Sequence, residues 1–81
     1  MKIIEVKGQP KQTCFGCPTV FEWEDKEERK FFFRLRHGSW RLQDETNDTI
    51  IATGETDESD GVCSWKEAIY YMFLEGVIVL S

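Results

Sequence analysis

The stretch that decides the fold reads Arg34-Leu35-Arg36-His37-Gly38-Ser39-Trp40-Arg41-Leu42-Gln43. Gly38 predicts a tight β-hairpin, because a two-residue loop that begins with glycine suits a type II′ turn. A loop formed by Gly38 and Ser39 pairs the flanking residues directly across the two strands. The expected pairs are His37 with Trp40, Leu35 with Leu42, and Arg36 with Arg41.

Alternation along these two strands separates apolar from cationic side chains. One face carries Phe33, Leu35, Trp40 and Leu42. The other face carries Arg34, Arg36, Arg41 and Gln43. Arginines directly opposite each other cost stability, so the hairpin requires an offsetting negative charge. Either carboxylates of a neighbouring strand, Glu22 among them, or an anionic ligand can supply it.

Length and charge limit the classes of function. The chain has 81 residues, which fits one domain over residues 1–81 with a single small core. Neither a serine nor a cysteine is plainly paired with the one histidine, so we expect a protein that is not an enzyme. The net charge of -5 argues against general binding of duplex DNA. Acids are concentrated at residues 22–28 and 55–60, whereas residues 29–41 are basic apart from their apolar positions.

The cellular compartment follows from the N-terminus and the cysteines. The first seven residues lack the apolar core of a secretory signal, and no segment is long enough to span a bilayer. Three cysteines form an odd set, which favours a reducing cytosol over a disulfide framework. We therefore expect a cytoplasmic protein without a membrane partner.

The N-terminal half predicts two further strands. Residues 1–7 alternate as a short strand, residues 8–13 indicate a loop, and residues 14–18 a knuckle. Residues 19–25 alternate again, with Phe21 and Trp23 on the apolar face. A loop at residues 26–28 pairs this strand with the next. The expected pairs are Trp23 with Phe31, Phe21 with Phe33, and Glu24 with Lys30.

The C-terminal half predicts a turn at residues 46–48, a strand at residues 49–53 and an acidic loop at residues 55–61. Ser64 and Glu67 match a capping box, so a helix begins there, and Gly76 is its expected stop. One buried stripe is expected along this helix, formed by Trp65, Ala68, Ile69, Met72 and Phe73.

Three apolar residues of this helix, Tyr70, Tyr71 and Leu74, lie outside the stripe. They are buried between copies in a homo-oligomer, or they are covered by residues 77–80 returning as a strand. The expected fold class is α+β, an antiparallel sheet of about five strands packed by one C-terminal helix.

Two chemistries compete at the Cys14-x-x-Cys17 pair. Redox chemistry is disfavoured because the pair leads into a strand and not into a helix. Zinc would need Cys14, Cys17, Cys63 and His37, but a second closely spaced pair of ligands is missing. The alternative is cysteines that fill a corner of the fold, so we expect no cofactor.

The arginine face gives the clearest functional hypothesis. Guanidiniums bind phosphate in a bidentate manner, and aromatic rings stack on bases. The expected ligand-binding residues are Arg34, Arg36, His37, Trp40, Arg41, Tyr70 and Tyr71. The alternative, for each arginine, is pairing with surface acids.

Four short motifs follow one another along the chain. They are Cys17-Pro18-Thr19-x-Phe21, Arg34-x-Arg36-His37-Gly38, Asp60-Gly61-x-x-Ser64-Trp65-x-Glu67 and Gly76-Val77-Ile78. In this order they resemble a family of small phage and prophage proteins, over most of the chain beyond residue 14. A weaker likeness joins Trp40-Arg41-Leu42 and Ile50-Ile51-Ala52-Thr53-Gly54-Glu55 to the β-β-β-α repeats of YegP-like domains, at the level of fold alone.

A phage origin, which this resemblance implies, would make counter-defence in the host cytoplasm the expected role. One hypothesis is a sponge that sequesters a nucleotide immune signal, a cyclic nucleotide or an ADP-ribose derivative, without cleaving it. The rival is a protein-binding inhibitor of a host defence protein, of the anti-CRISPR type, which uses the acidic segments and the exposed helix face. A third hypothesis is a zinc-stabilised structural module.

Overall fold

The computed structural model describes residues 2–15, 18–56 and 63–81, with the side chains of residues 14 and 15 left out. Its elements are β1 (Lys2–Phe15), β2 (Thr19–Asp25), β3 (Lys30–Arg36), β4 (Ser39–Asp44), β5 (Thr49–Glu55), α1 (Trp65–Leu74) and β6 (Val77–Leu80). The strands form one sheet in the order β5-β4-β3-β2-β1-β6, which is curled like half a barrel. The expected α+β class, with one helix packed on a sheet, is confirmed.

The sheet differs from the expected one in its number of strands and in one direction. It has six strands, and β6 pairs with β1 in a parallel manner, with Ile4 opposite Val79. A parallel neighbour needs a crossover connection, and α1 lies within the connection that leads to β6. Residues 77–80 thus form a strand. This was one of the two alternatives expected for this end of the chain.

Strand β1 is twice as long as the sequence indicates. Residues 8–13, expected to form a loop, belong to it and continue to pair with β2. The register shifts between Lys7 and Lys11, and Gly8 has a φ of 74°. A bulge thus accommodates the glycine and proline that signal a loop, and the strand resumes pairing after them.

The β3–β4 hairpin turns one residue earlier than predicted. Its loop is His37-Gly38, with φ values of 51° and 80°, which is the pattern of a type I′ turn and not of type II′. Leu35 is opposite Trp40, Arg34 is opposite Arg41, and Arg36 is opposite Ser39, so the expected register is wrong. The faces are unaffected, because each residue's partner changes by two positions and side chains alternate with a period of two.

The pairing of β2 with β3 is confirmed at the three expected positions, Phe21 with Phe33, Trp23 with Phe31, and Glu24 with Lys30. Asp25 ends β2 and is buried. Its Oδ1 accepts hydrogen bonds from the backbone N–H groups of Glu27 and Arg29, each at 2.9 Å, and its Oδ2 accepts from Arg29 Nε at 2.8 Å. Burial alone would raise the pKa of Asp25, but these bonds hold it below its ordinary value.

Helix α1 begins at the predicted capping box. Ser64 Oγ accepts from the backbone N–H of Glu67 at 3.2 Å, and Glu67 Oε1 accepts from that of Ser64 at 2.9 Å. The helix ends before Gly76, which has a φ of 85°. Ala68 and Met72 are fully buried.

Phe73 is an exception to the predicted stripe, because it is 56% exposed, while Tyr71 packs against the core. Each helical residue turns by about 100°, so Phe73 lies about 140° round from Ala68, whereas Tyr71 lies only about 60° from it. Strand β6 adds Val77 and Val79 to the core. It leaves Tyr70, Phe73 and Leu74 more than half exposed.

The core lies between α1 and one face of the sheet. Its largest fully buried side chains are Ile4, Phe31, Phe33, Leu35, Leu42 and Met72. Trp65 joins the helix to this face, with its ring 5.2 Å from that of Phe21 and 5.0 Å from that of Trp23. Among the described residues, no helix is long and apolar enough to cross a membrane.

Candidate functional site

The sheet face turned away from α1, which we call the outer face, carries the predicted arginines. They alternate along β3 and β4 with the buried residues Phe33, Leu35, Trp40 and Leu42, so they point to the other side. Three guanidiniums, those of Arg34, Arg36 and Arg41, form what we call the arginine cluster. It borders a concavity of about 270 Å³, lined by Arg34, Arg36, Ser39, Trp40 and Arg41.

Arg34 and Arg41 are the centre of this cluster. They are direct cross-strand partners between β3 and β4. Side chains in this relation have Cβ atoms roughly 4.5–5.5 Å apart. The like-charge pair expected from the sequence is therefore present, although Arg34 takes the place predicted for Arg36.

Carboxylates do not offset these charges within the described residues. None of the three guanidiniums has a carboxylate oxygen within 4.0 Å there, and Glu22, the expected partner, pairs across the strands with Phe32. Arg29 is a contrast, because it lies 2.8 Å from Asp25 and 3.0 Å from Glu27. Within the described part of the chain, the arginine cluster is thus a patch of positive charge without an ion-pair partner.

One hydrogen-bond donor of the cluster is unsatisfied. Arg41 Nε is buried and has no acceptor among the described residues. A buried donor without a partner costs about 1–3 kcal/mol. An anion held at the concavity would provide acceptors for the guanidinium donors that line it.

Trp40 does not belong with the arginines, although it was predicted to contact the ligand. Its side chain is only 3% exposed and stacks on Phe33 in the core, with ring centroids 5.6 Å apart. Alternation along β4 puts Trp40 and Arg41 on opposite faces. A Cβ on Gly54 would lie 2.5 Å from Trp40 Nε1, so the indole also packs tightly on β5.

The two tyrosines are likewise separated from the arginine cluster within one chain. Tyr70 and Tyr71 are on α1, on the core side of the sheet, and their ring centroids are 6.2 Å apart. Tyr71 packs against the core and Tyr70 is 57% exposed. Only a second copy could bring these rings to the outer face. His37 is exposed at the hairpin tip, next to Arg36 in sequence.

The zinc hypothesis gains no support from the described residues. Cys17 and the side chain of Cys14 lie outside them. Cys63 is buried in the core, and its backbone N–H donates to Thr19 Oγ1 at 3.3 Å. Within the part of the chain that the structure describes, no group of three or more potential metal ligands is present.

A second concavity, which the sequence does not indicate, lies on the same face toward the other end of β3. It measures about 670 Å³, and its charged lining residues are Lys7, Lys11, Lys30, Glu22, Glu24 and Glu45. Glu24 is paired across the strands with Lys7 and with Lys30, and Glu22 with Lys11. This lysine–glutamate concavity contains opposite charges side by side. The sequence does not indicate this concavity, because Lys11 lies in a segment that is predicted to be a loop.

Comparison of the chain with protein-family models, with curated proteins and with solved structures gives no significant match. The resemblance to small phage proteins and the likeness to YegP-like domains therefore stay predictions.

Proposed function

We propose that this protein binds a phosphorylated nucleotide at the arginine cluster and holds it without cleaving it. The observation that supports the proposal is the direct pairing of Arg34 with Arg41, with no carboxylate oxygen within 4.0 Å of either guanidinium among the described residues. Such a pair repels in the free protein. A dianionic phosphate between the two guanidiniums would replace repulsion with attraction.

The chemistry of the guanidinium fits this role. Arginine presents a planar fork of donors that matches two oxygens of a phosphate, and it is always charged. Arg34 and Arg41 would both contact the same phosphate, one from each strand, through the guanidinium donors that line the concavity. Arg36 lies two residues farther along β3, on the same face. It would hold a second phosphate or the ribose.

Sequestration is the biological part of the proposal. A counter-defence sponge in the host cytoplasm would bind a nucleotide immune signal, a cyclic nucleotide or an ADP-ribose derivative, and needs no catalytic group. The test is recovery of the ligand: after incubation and heat denaturation, chromatography should return the nucleotide intact. Release of a cleavage product would contradict a sponge.

Binding itself is tested by titration calorimetry with ADP, ADP-ribose and a cyclic dinucleotide, each compared with adenosine. We expect the phosphorylated compounds to bind and adenosine to bind far more weakly. Replacing both Arg34 and Arg41 by alanine should weaken binding by more than 100-fold, since each charged hydrogen-bonding group contributes about 1.5–3 kcal/mol. The matched control is Lys66→Ala, which removes one exposed charge from α1. Equal affinity in the double variant would overturn the proposal.

A second candidate function is binding to a host defence protein through α1. The observation that favours it is the exposure of three large apolar side chains, Tyr70, Phe73 and Leu74. A variant with Phe73→Ser and Leu74→Ser should keep nucleotide affinity and lose a stoichiometric partner in a pull-down. Light scattering of the wild type separates this partner from a second copy of the chain. A variant that retains the partner would contradict this function.

A further inference from the structure

A row of three side chains lies beside the arginine cluster on the outer face. Phe32 is the middle member, with Glu22 as its direct partner on β2 and Gln43 as its direct partner on β4. All three are half-buried. An aromatic ring is thus placed between a carboxylate and an amide, each about 5 Å away at the Cβ level.

The spacing between this row and the cluster suits one nucleotide. Phe32 precedes Arg34 by two residues on β3, so both side chains are on the same face and about 6.8 Å apart along the strand. A base stacked on Phe32 can therefore reach the Arg34–Arg41 pair with its own phosphate through the ribose. Stacking on an aromatic side chain is a common way to hold an unpaired base.

The hydrogen-bonding groups of this row favour a base whose edge donates hydrogen bonds to the protein. An ionised Glu22 can only accept hydrogen bonds, and among the described residues no cation lies within 4.0 Å of its carboxylate. Gln43 uses its Nε2 to donate to Asp48 Oδ1 at 3.1 Å, and its Oε1 is an acceptor. The row is therefore rich in acceptors.

We propose that the base of the bound nucleotide is guanine, stacked on Phe32 with Glu22 as the residue that selects it. Guanine presents N1–H and the 2-amino group side by side, which matches the two oxygens of one carboxylate. Adenine presents only its amino group on that edge, and hypoxanthine and uracil have a ring N–H but no amino group. This inference rests on the proposed function, because the arginine cluster holds the phosphate end.

The test compares the affinities of GDP, IDP and UDP by titration calorimetry. IDP differs from GDP only by the missing 2-amino group, and one hydrogen bond to a charged group corresponds to a factor of about 10 or more. We expect GDP to bind at least about 10-fold more tightly than IDP and UDP. The variant Glu22→Gln should remove this preference, mainly by weakening GDP.

A second variant tests stacking, and the arginine variant separates the two proposals. Phe32→Leu keeps an apolar side chain and removes the aromatic face, so it should weaken all three nucleotides by about 5-fold or more. Circular dichroism controls for folding. Equal affinities for GDP, IDP and UDP, all lost in the Arg34→Ala/Arg41→Ala variant, would overturn the guanine assignment and leave phosphate binding intact. Absence of binding by all three would also overturn the guanine assignment. Binding that ignores the arginines, or absence of binding by these three and by ADP, ADP-ribose and the cyclic dinucleotide, would overturn the proposed function itself.

Discussion

The two ends of the outer face are built from the same strands but arrange their charges in opposite ways. At the lysine–glutamate end, Glu24 lies between Lys7 and Lys30, and Lys11 is paired with Glu22. At the arginine end, Arg34 is paired with Arg41. Opposite charges across strands stabilise a sheet and like charges destabilise it.

This difference explains why the smaller concavity is the better candidate site. The lysine–glutamate concavity is more than twice as large, at about 670 Å³ against about 270 Å³. Its lysines and glutamates are cross-strand neighbours, so an anion there would have to compete with three carboxylates. Among residues 2–15, 18–56 and 63–81, no carboxylate forms an ion pair with the arginine cluster, which is the condition that favours an external anion.

The largest expected effect concerns the arginine that does have a carboxylate partner. Replacing Asp25 by alanine removes the acceptor of two backbone N–H groups and of Arg29 Nε. Loss of hydrogen bonds to a buried carboxylate predicts a decrease in the free energy of unfolding of about 2–4 kcal/mol. Urea denaturation measures it. A change below 0.5 kcal/mol, on the order of an ordinary surface substitution, would show that this turn does not depend on its ion pair.

The same carboxylate predicts a pH dependence with a defined sign. The pKa of Asp25 in the folded protein lies below its ordinary value of 3.8. Its contribution to stability is therefore complete above that pH and is lost as the pH falls through the folded-state pKa. The difference in stability between wild type and Asp25→Asn should begin to narrow below about pH 4 and should close only as the pH passes the lower folded-state pKa. Parallel curves over the acid range would contradict the shift.

The next effect concerns the packing behind the arginine end. Gly54→Ala places a Cβ 2.5 Å from Trp40 Nε1, so the indole has to move away from β5. Overpacking of this kind costs about 1–3 kcal/mol. Thermal unfolding should show a lower midpoint, and tryptophan fluorescence should change. The control is Gly8→Ala, because no atom lies within 4 Å of a Cβ there and only the positive φ of 74° opposes it.

The sequence predicts the arginine face more reliably than the register that forms it. Face depends only on whether positions are odd or even along the strand, so it survives the move of the loop from Gly38-Ser39 to His37-Gly38. Histidine tolerates positive φ better than most residues, and a small local cost of this kind is outweighed by burying Trp40 beside Leu35. Local turn preference could not reveal that tertiary gain.

The lysine–glutamate end could not be predicted for a different reason. Gly8 and Pro10 are loop signals, and a bulge that restores pairing after them depends on contacts with a strand farther along the chain. The pairing of Glu22 with Phe32 follows from the predicted register of β2 and β3, whereas Gln43 joins this row only in the register of β3 and β4 that the turn preference did not predict. The separation of Tyr70 and Tyr71 from the arginines also follows from packing an apolar helix stripe on the apolar sheet face.

The smallest expected effect is the most direct test of the comparison, because its sign differs between the two ends. Arg41→Gln removes like-charge repulsion, so without ligand it should raise the free energy of unfolding by about 0.2–1 kcal/mol. Glu24→Gln removes a carboxylate between two lysines and should lower it by a similar amount. Urea denaturation at low salt measures both, and the differences should shrink at 1 M salt, where charges are screened within about 3 Å. Destabilisation by both variants would mean that Arg41 has an internal partner, and that the positive charge at this end is already compensated without a ligand.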